Sequence, residues 1–389
     1  MIALFDSVVG ASLQDGSAVA AIVAARLLIP LLIPRFPLAI VFVLVIDSAD
    51  QDLLKLFTDV DTSENGPYQS FDKALDIYYL SIAYLAAMRN WTSDAAFRIA
   101  QFLFYYRLVG IVLFELLEER AMLLLFPNTF EYFFILYELV RLRFRPQRFS
   151  ARFWLLAAAG IWIFVKLPQE YWIHIAKLDF SDEVSNNPPF AVAVVAGLLL
   201  TAFVLVRVVY PRLPAPDWRW RPLSDPLPAS IVAMHARYAR RLESGRVLIG
   251  TAFEQVWLLA LLGVIFAAIL PGIEATALQV AVGVVAIVLA NAAISLAAAR
   301  RGGFGIESAA ARYAVFLVTN VALVAIAQAL LADRRDFDLG YGVFFAFLIT
   351  TIIWLYTAFR PVYDQRFANS PLRVKSIGDF RQRARERRP

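Results

Sequence analysis

The chain has 389 residues, of which 60% are hydrophobic and 18% charged, and its mean hydropathy is +0.63. A soluble domain runs near about 45–50% apolar and about 25% charged, so a soluble globule is excluded and lipid is the expected solvent. The absence of cysteine and the presence of only two histidines, His174 and His235, exclude disulfides, thiolate chemistry and histidine-built metal cages. A net charge of +5 in so apolar a chain points to cytoplasmic loops rather than to nucleic-acid binding.

The opening residues, Met1 to Asp6, place no cationic stretch ahead of apolar ones, so the first span is expected to serve as the targeting signal. A spanning helix needs roughly 20 mostly apolar residues. That rule places segments near 17–34, 36–56, 71–88, 99–117, 121–140, 153–167, 190–210, 247–270, 276–299, 310–332 and 341–359. The expected fold is an all-α polytopic bundle of about eleven spans, within a range of roughly 9–12. Arginine outnumbering lysine, with abundant alanine, suits a bacterium with a GC-rich genome and hence the bacterial inner membrane.

Loop charge orients the spans. The loop from Arg141 to Arg152, the 211–246 linker, Arg300-Arg301 and the tail are rich in arginine, and such loops stay in the cytoplasm. The alternate loops, Asp179 to Glu183, Asp333 to Asp338 and Asp47 to Glu64, are acidic or mixed. This pattern puts the C-terminus in the cytoplasm and the acidic stretch outside.

Composition divides the chain into four parts. Residues 1–210 form an aromatic-rich bundle, 211–246 a proline- and arginine-rich cytoplasmic linker, 247–360 a bundle rich in alanine and valine, and 361–389 a basic tail. Small residues let helices approach closely inside a bilayer, and dense proline prevents helix in the linker. At the linker's end, Ile231, Met234, Tyr238 and Leu242 follow helical spacing opposite Arg237, Arg240 and Arg241. This is the pattern of an interfacial helix or of a cytosolic helix packed on the bundle. The segments 141–152, 218–246 and 373–388 are expected to meet anionic lipid headgroups.

The chemistry-bearing residues start with four aspartates. Asp47 and Asp50 are three apart, and Asp72 and Asp76 are four apart, so each pair shares one helix face. A hairpin joining the two helices would bring both pairs to one end of the bundle. Like charges that close need a counter-charge, from arginine, water or a hard divalent cation such as Mg²⁺. The plainer reading makes them solvated acids of an external loop, with Asp72 near a helix N-terminus.

The DxxD and DxxxD spacing is similar to the metal-binding core of the CDP-alcohol phosphatidyltransferases. That resemblance covers about thirty residues and implies a metal held by Asp47, Asp50, Asp72 and Asp76. Gln51 stands where the family has a glycine, and Leu54-Lys55 where it has an Ala-Arg pair.

Charges within spans are functional candidates by default. They are Arg26, Arg107 with Glu115, Glu131 and Glu254. Pro127 beside Asn128 and Glu131 would break its helix, a pattern by which transporters bind ions. The plainer expectation is that Arg26 and Arg107 pair with Glu131, Glu115 or Asp76 and lock helices together. No P-loop, HExxH or GxSxG occurs. These features point first to a permease for a small charged or lipid-like solute. A metal-dependent enzyme acting on phospholipid-type substrates comes second, and a structural or partner-binding membrane protein third.

Overall fold

The computed structural model describes residues 13–57, 67–117, 119, 121–176, 180–226, 248–270, 276–300, 309–331 and 339–367. No strand occurs among them. The expected interfacial helix around Ile231 to Leu242, the 373–388 tail, Asp59, Asp61, Glu64, His235 and the loop Asp333 to Asp338 lie outside the described residues.

Helices occupy all eleven expected segments. In chain order they are α1 (Leu13–Leu28), α2 (Ala39–Phe57), α3 (Pro67–Asn90), α4 (Asp94–Leu117), α5 (Ala121–Leu125), α6 (Thr129–Arg141) and α7 (Ala151–Ile161). They continue with α8 (Leu167–Glu170), α9 (Phe180–Asn186), α10 (Pro188–Val204), α11 (Leu248–Ile269), α12 (Ala277–Arg300), α13 (Ala309–Leu331) and α14 (Leu339–Arg366).

Five helical stretches are long and apolar enough to cross a membrane: Asp94–Leu117, Ala121–Arg141, Ala151–Ile173, Pro188–Arg212 and Gly340–Arg366. Shorter apolar helices lie at Val19–Leu32, Glu254–Ile269, Leu278–Ile294 and Tyr313–Ala327. Helices α2 and α3 belong to neither group, since α2 carries Asp47, Asp50, Asp52 and Lys55, and α3 carries Asp72, Lys73, Asp76 and Arg89. Eleven helical segments therefore correspond to five that meet the apolar criterion among the described residues.

The chain divides into two compact units. The first comprises Met1–Gln101 with Leu223–Pro389, and the second Phe102–Pro222.

In the first unit, α3 is the buried helix. Pro67 at its start has no N–H to lose there. Every residue from Ile77 to Met88 is buried, with α1, α2, α11 and α14 packed around it. A helix enclosed by protein need not be apolar, which is why α3 keeps Tyr78, Ser81 and Tyr84. Helix α14 runs parallel to it. At one end Phe71 lies 5.3 Å from Tyr341 and 5.1 Å from Phe344. At the other, Arg366 donates to the carbonyls of Arg89 and Trp91, both at 2.8 Å. Helix α14 continues through Pro361 to Arg366, seven residues beyond the 359 boundary that hydropathy suggests. Behind it, Asn291, Asn320 and Thr350 link α12, α13 and α14 through bonds of 3.0 and 2.9 Å. Interhelical hydrogen bonds of this kind contribute about 0.6 to 2 kcal/mol each.

In the second unit the span 121–141 is broken at Pro127, as the sequence suggests, leaving α5 and α6 on either side. Helix α7 passes into a π turn (Trp162–Lys166), then α8, then a second π turn (Tyr171–Ile175). Helix α10 buries no residue, and Val192, Leu198 and Leu199 are about two-thirds exposed. Apolar exposure on that scale is expected where lipid covers the surface.

Gly110 of α4 provides a test of packing at the break. A Cβ there would lie 2.1 Å from the Cβ of Phe126, which no rotamer change relieves. Alanine normally stabilises a helix interior by about 1 kcal/mol over glycine. Here Gly110→Ala is expected to lower the thermal midpoint, at an overpacking cost of about 1–3 kcal/mol or more. Gly160→Ala and Gly197→Ala, with nothing within 4 Å, are expected to leave it unchanged or raise it. Thermal unfolding of the three variants in detergent checks the sign.

Candidate functional site

Arg26 sits in the last turn of α1 and is 2% exposed. Its Nη1 donates to Asp50 and Asp72, and its Nη2 to Asp47 and, at 2.5 Å, to Asp76. Each terminal guanidinium nitrogen thus takes one carboxylate from α2 and one from α3. The i,i+3 pair of α2 and the i,i+4 pair of α3 make this possible, because each presents two carboxylates to one side, a turn apart.

The four acids differ in depth. The Asp50 side chain is fully buried, while Asp72, Asp47 and Asp76 are 16%, 24% and 40% exposed. The cluster therefore has a closed end at Asp50 and an open end at Asp76. Oxygens of Asp47, Asp50 and Asp72 lie within 4.8 Å of one another, a spacing that suits a single hard cation.

The opposite end of α3 is basic. Asp76 and Arg89 are 13 residues apart in one helix, hence about 20 Å along its axis. Arg89 donates to the Pro34 carbonyl at 2.9 Å and to the Asp225 carbonyl at 3.3 Å. Arg35 donates to the Ser224 carbonyl at 2.7 Å. Three arginines, Arg35, Arg89 and Arg366, thus grip backbone carbonyls where the linker re-enters the first unit.

Near that end lies a second charged group. Glu254 accepts from Arg360 through one oxygen, and from Gln101 (3.1 Å) and Tyr84 (3.4 Å) through the other. Arg360 also donates to the Tyr356 hydroxyl at 3.1 Å and to Asp364 at 3.3 Å, and lies 5.3 Å from the Tyr363 ring centre. Sequence reasoning selected Glu254 but missed Arg360, Gln101 and Asp364. Ending the last span at Phe359 left Arg360 at the margin of the bundle and Asp364 in the tail.

The second unit holds a third group. Arg107 donates to the Phe126 carbonyl at 3.0 Å, at the Pro127 break. Asn128 donates its side-chain amide to Glu131 at 2.6 Å and its backbone N–H to Glu170 at 3.3 Å. Lys166 lies 3.3 Å from Glu170, donates to Gln169 at 2.9 Å, and sits 4.8 Å from the Tyr132 ring centre. Lys166 and Glu170 were missed as well. Their signal was an i,i+4 pair of opposite charge within the apolar run Trp162 to Ile175.

Two of the arginine-rich segments expected to meet lipid are joined to each other. Asp217 and Arg221 donate backbone N–H groups to the carbonyls of Arg143 (2.9 Å) and Leu142 (3.2 Å). The Trp218 indole donates to the Arg141 carbonyl at 3.0 Å, and its ring lies 4.8 Å from the Arg221 guanidinium and 5.8 Å from that of Arg145.

Comparisons with protein-family models, with curated proteins and with solved structures found no match for the chain.

Removing the guanidinium at the centre of the acidic cluster would leave four aspartates facing one another. Breaking a buried pair by deleting one partner costs about 3–5 kcal/mol. Arg26→Met is expected to lower the thermal midpoint strongly, and adding Asp50→Asn to recover part of the loss. Asp76→Asn, at the open end, is expected to have the smallest effect. Thermal unfolding of the four proteins in one detergent measures the order.

Proposed function

We propose that this chain is a polytopic transporter that moves a small cationic solute across the inner membrane of a bacterium, with its C-terminus in the cytoplasm. The observation that carries the reading is the arginine enclosed by four aspartates from two neighbouring helices, buried at one end and open at the other. Asp76 and Asp47 would meet an incoming cation first. Asp72 and Asp50 would receive it as Arg26 gives up its partners. Solute and guanidinium compete for the same carboxylates, so binding weakens the ties that hold α1 to α2 and α3. A ligand that favours one arrangement over another in this way shifts the equilibrium between them.

Two further features support the reading. The Glu254–Arg360 pair lies towards the other end of the same helices, so charge of both signs occurs near each end of α3 and α14. The arginines at 35, 89 and 366 lie where the linker rejoins the first unit, and the positive-inside rule puts such an end in the cytoplasm. The Asp47–Asp76 cluster then opens to the outside, and the bundle has about eleven spans. The basic segments 141–152 and 218–246 would rest on anionic headgroups.

The test is uptake of radiolabelled sodium, rubidium and methylammonium into proteoliposomes. Uptake of at least one is expected, with Asp50→Asn and Arg26→Gln reducing it at least tenfold and Asp76→Asn less. Uptake no faster than in empty liposomes for all three, or full uptake in the Asp50 variant, refutes the proposal.

The 4.8 Å grouping of Asp47, Asp50 and Asp72 oxygens favours a second reading, a metal-dependent enzyme acting on a phosphorylated lipid. A divalent ion held there would supply Lewis-acid polarisation of a phosphoryl oxygen. In that case Arg26, displaced from the carboxylates, would bind the phosphate. Mn²⁺ is then expected to raise the thermal midpoint of the wild type but not of Asp50→Asn. An unchanged midpoint in both removes this reading.

A further inference from the structure

The polar group in the second unit is built from two interrupted helices. Pro127 has no N–H to give, and the chain leaves helical form between α5 and α6, restarting at Thr129 after Asn128. Asn128 occupies the N-cap position of α6, where an asparagine normally turns its side-chain oxygen onto a first-turn N–H. It makes no such cap. Its Nδ2 points to Glu131 instead, and its Oδ1, in a residue 9% exposed, has no hydrogen-bond partner among the described residues. The amide orientation follows from its neighbour, since the reverse would set Oδ1 against a carboxylate oxygen. Thr129, 1% exposed, likewise has no partner for its Oγ1.

Facing them is the second interrupted helix. Two π turns bracket α8, which contains Pro168. Such turns widen a helix and are frequent at functional sites. Here they set Lys166 and Glu170, each 4% exposed, within the second unit's interior. Glu170 takes the Asn128 N–H and lies against Lys166. Asn128, Glu131, Lys166 and Glu170 therefore form one contiguous buried polar group inside apolar helices, with the buried Thr129 next to Asn128 in the chain. Its unfilled side-chain atoms at Asn128 and Thr129 are both oxygens, beside two carboxylates. An amide oxygen, a hydroxyl and carboxylates together are the donor set of a hard cation.

We propose that this group binds a small monovalent metal cation, sodium, through Asn128 Oδ1, Thr129 Oγ1 and the carboxylates of Glu131 and Glu170. The ammonium of Lys166 in the same group, with the Arg107 guanidinium held nearby at the Phe126 carbonyl, disfavours a second positive charge on the ion. Mg²⁺ would also need to keep several of its waters. The site uses none of the residues around Arg26, so it stands whether or not the transport reading holds.

Thermal unfolding of the full-length protein in detergent, followed by tryptophan fluorescence, tests this in sodium chloride against choline chloride at equal ionic strength. Sodium is expected to raise the midpoint by several degrees and saturably, as a ligand of the folded state must. The shift is expected to vanish in Asn128→Ala and Thr129→Val and to persist in Asp76→Asn. If those two variants do not fold, hydrogen exchange on the wild type decides. Sodium is expected to slow exchange in residues 126–131 and 166–171 relative to choline. Equal midpoints and equal exchange in both salts would mean that water fills the group, and the proposal fails. It fails equally if the shift disappears in Asp76→Asn but survives in Asn128→Ala, which would place the ion at the acidic cluster.

Discussion

The guanidinium of Arg26 is the interaction on which the first unit depends. A charge in so apolar a setting is expensive unless every neighbour serves it, and here three helices do so together. Helix α1 supplies the cation, and α2 and α3 each supply two aspartates from one face. Geometry makes this economical, because a planar fork with two terminal nitrogens can take one carboxylate from each helix on each nitrogen. The arrangement fixes the rotation of α2 and α3, since turning either by one residue would carry both of its aspartates away. That fixed rotation in turn sets which side of α3 faces α14.

Helix α3 shows what hydropathy measures. It carries Asp72, Lys73, Asp76 and Arg89, yet every residue from Ile77 to Met88 is buried. Hydropathy reports contact with lipid, and a helix wrapped by other helices is released from that constraint. The same reasoning explains the end of α14. Arg360 bonds to both Asp364 and Glu254 instead of facing lipid, so the helix runs on through Pro361 where an apolar count stops.

Much of the arrangement was readable in the residues. All eleven helical segments, the break at Pro127 and the placing of two aspartates on each of two helix faces follow from spacing and composition. The pairing of Arg26 with Asp76 was among the expected ion pairs, but its ties to Asp47, Asp50 and Asp72 were not, because nothing local to residue 26 says that α1 packs against both α2 and α3. Lys166 fell at the end of the expected span 153–167 and Glu170 beyond it, and a proline inside a helix bounded by π turns has no distinct sequence signature. The discontinuity of the first unit was also hidden. Residues 1–101 and 223–389 share no compositional trait, and their association rests on pairings of Phe71 with Tyr341 and of Arg89 with Arg366 that join distant parts of the chain.

Helix α10 differs from all of these in burying none of its residues, its ring contact being Phe190 of the first turn on Trp172 at 5.4 Å. With the π turn and 3-10 turn that follow it, α10 makes one helical stretch from Pro188 to Arg212, none of whose described side chains is buried. Twenty-five helical residues extend about 37 Å, longer than the roughly 30 Å hydrocarbon core of a bilayer. A helix of that length that crosses a bilayer with little of it packed on protein takes up the excess by leaning. A span of that kind changes its tilt with the thickness of the bilayer around it, a freedom that enclosure denies to a helix such as α3.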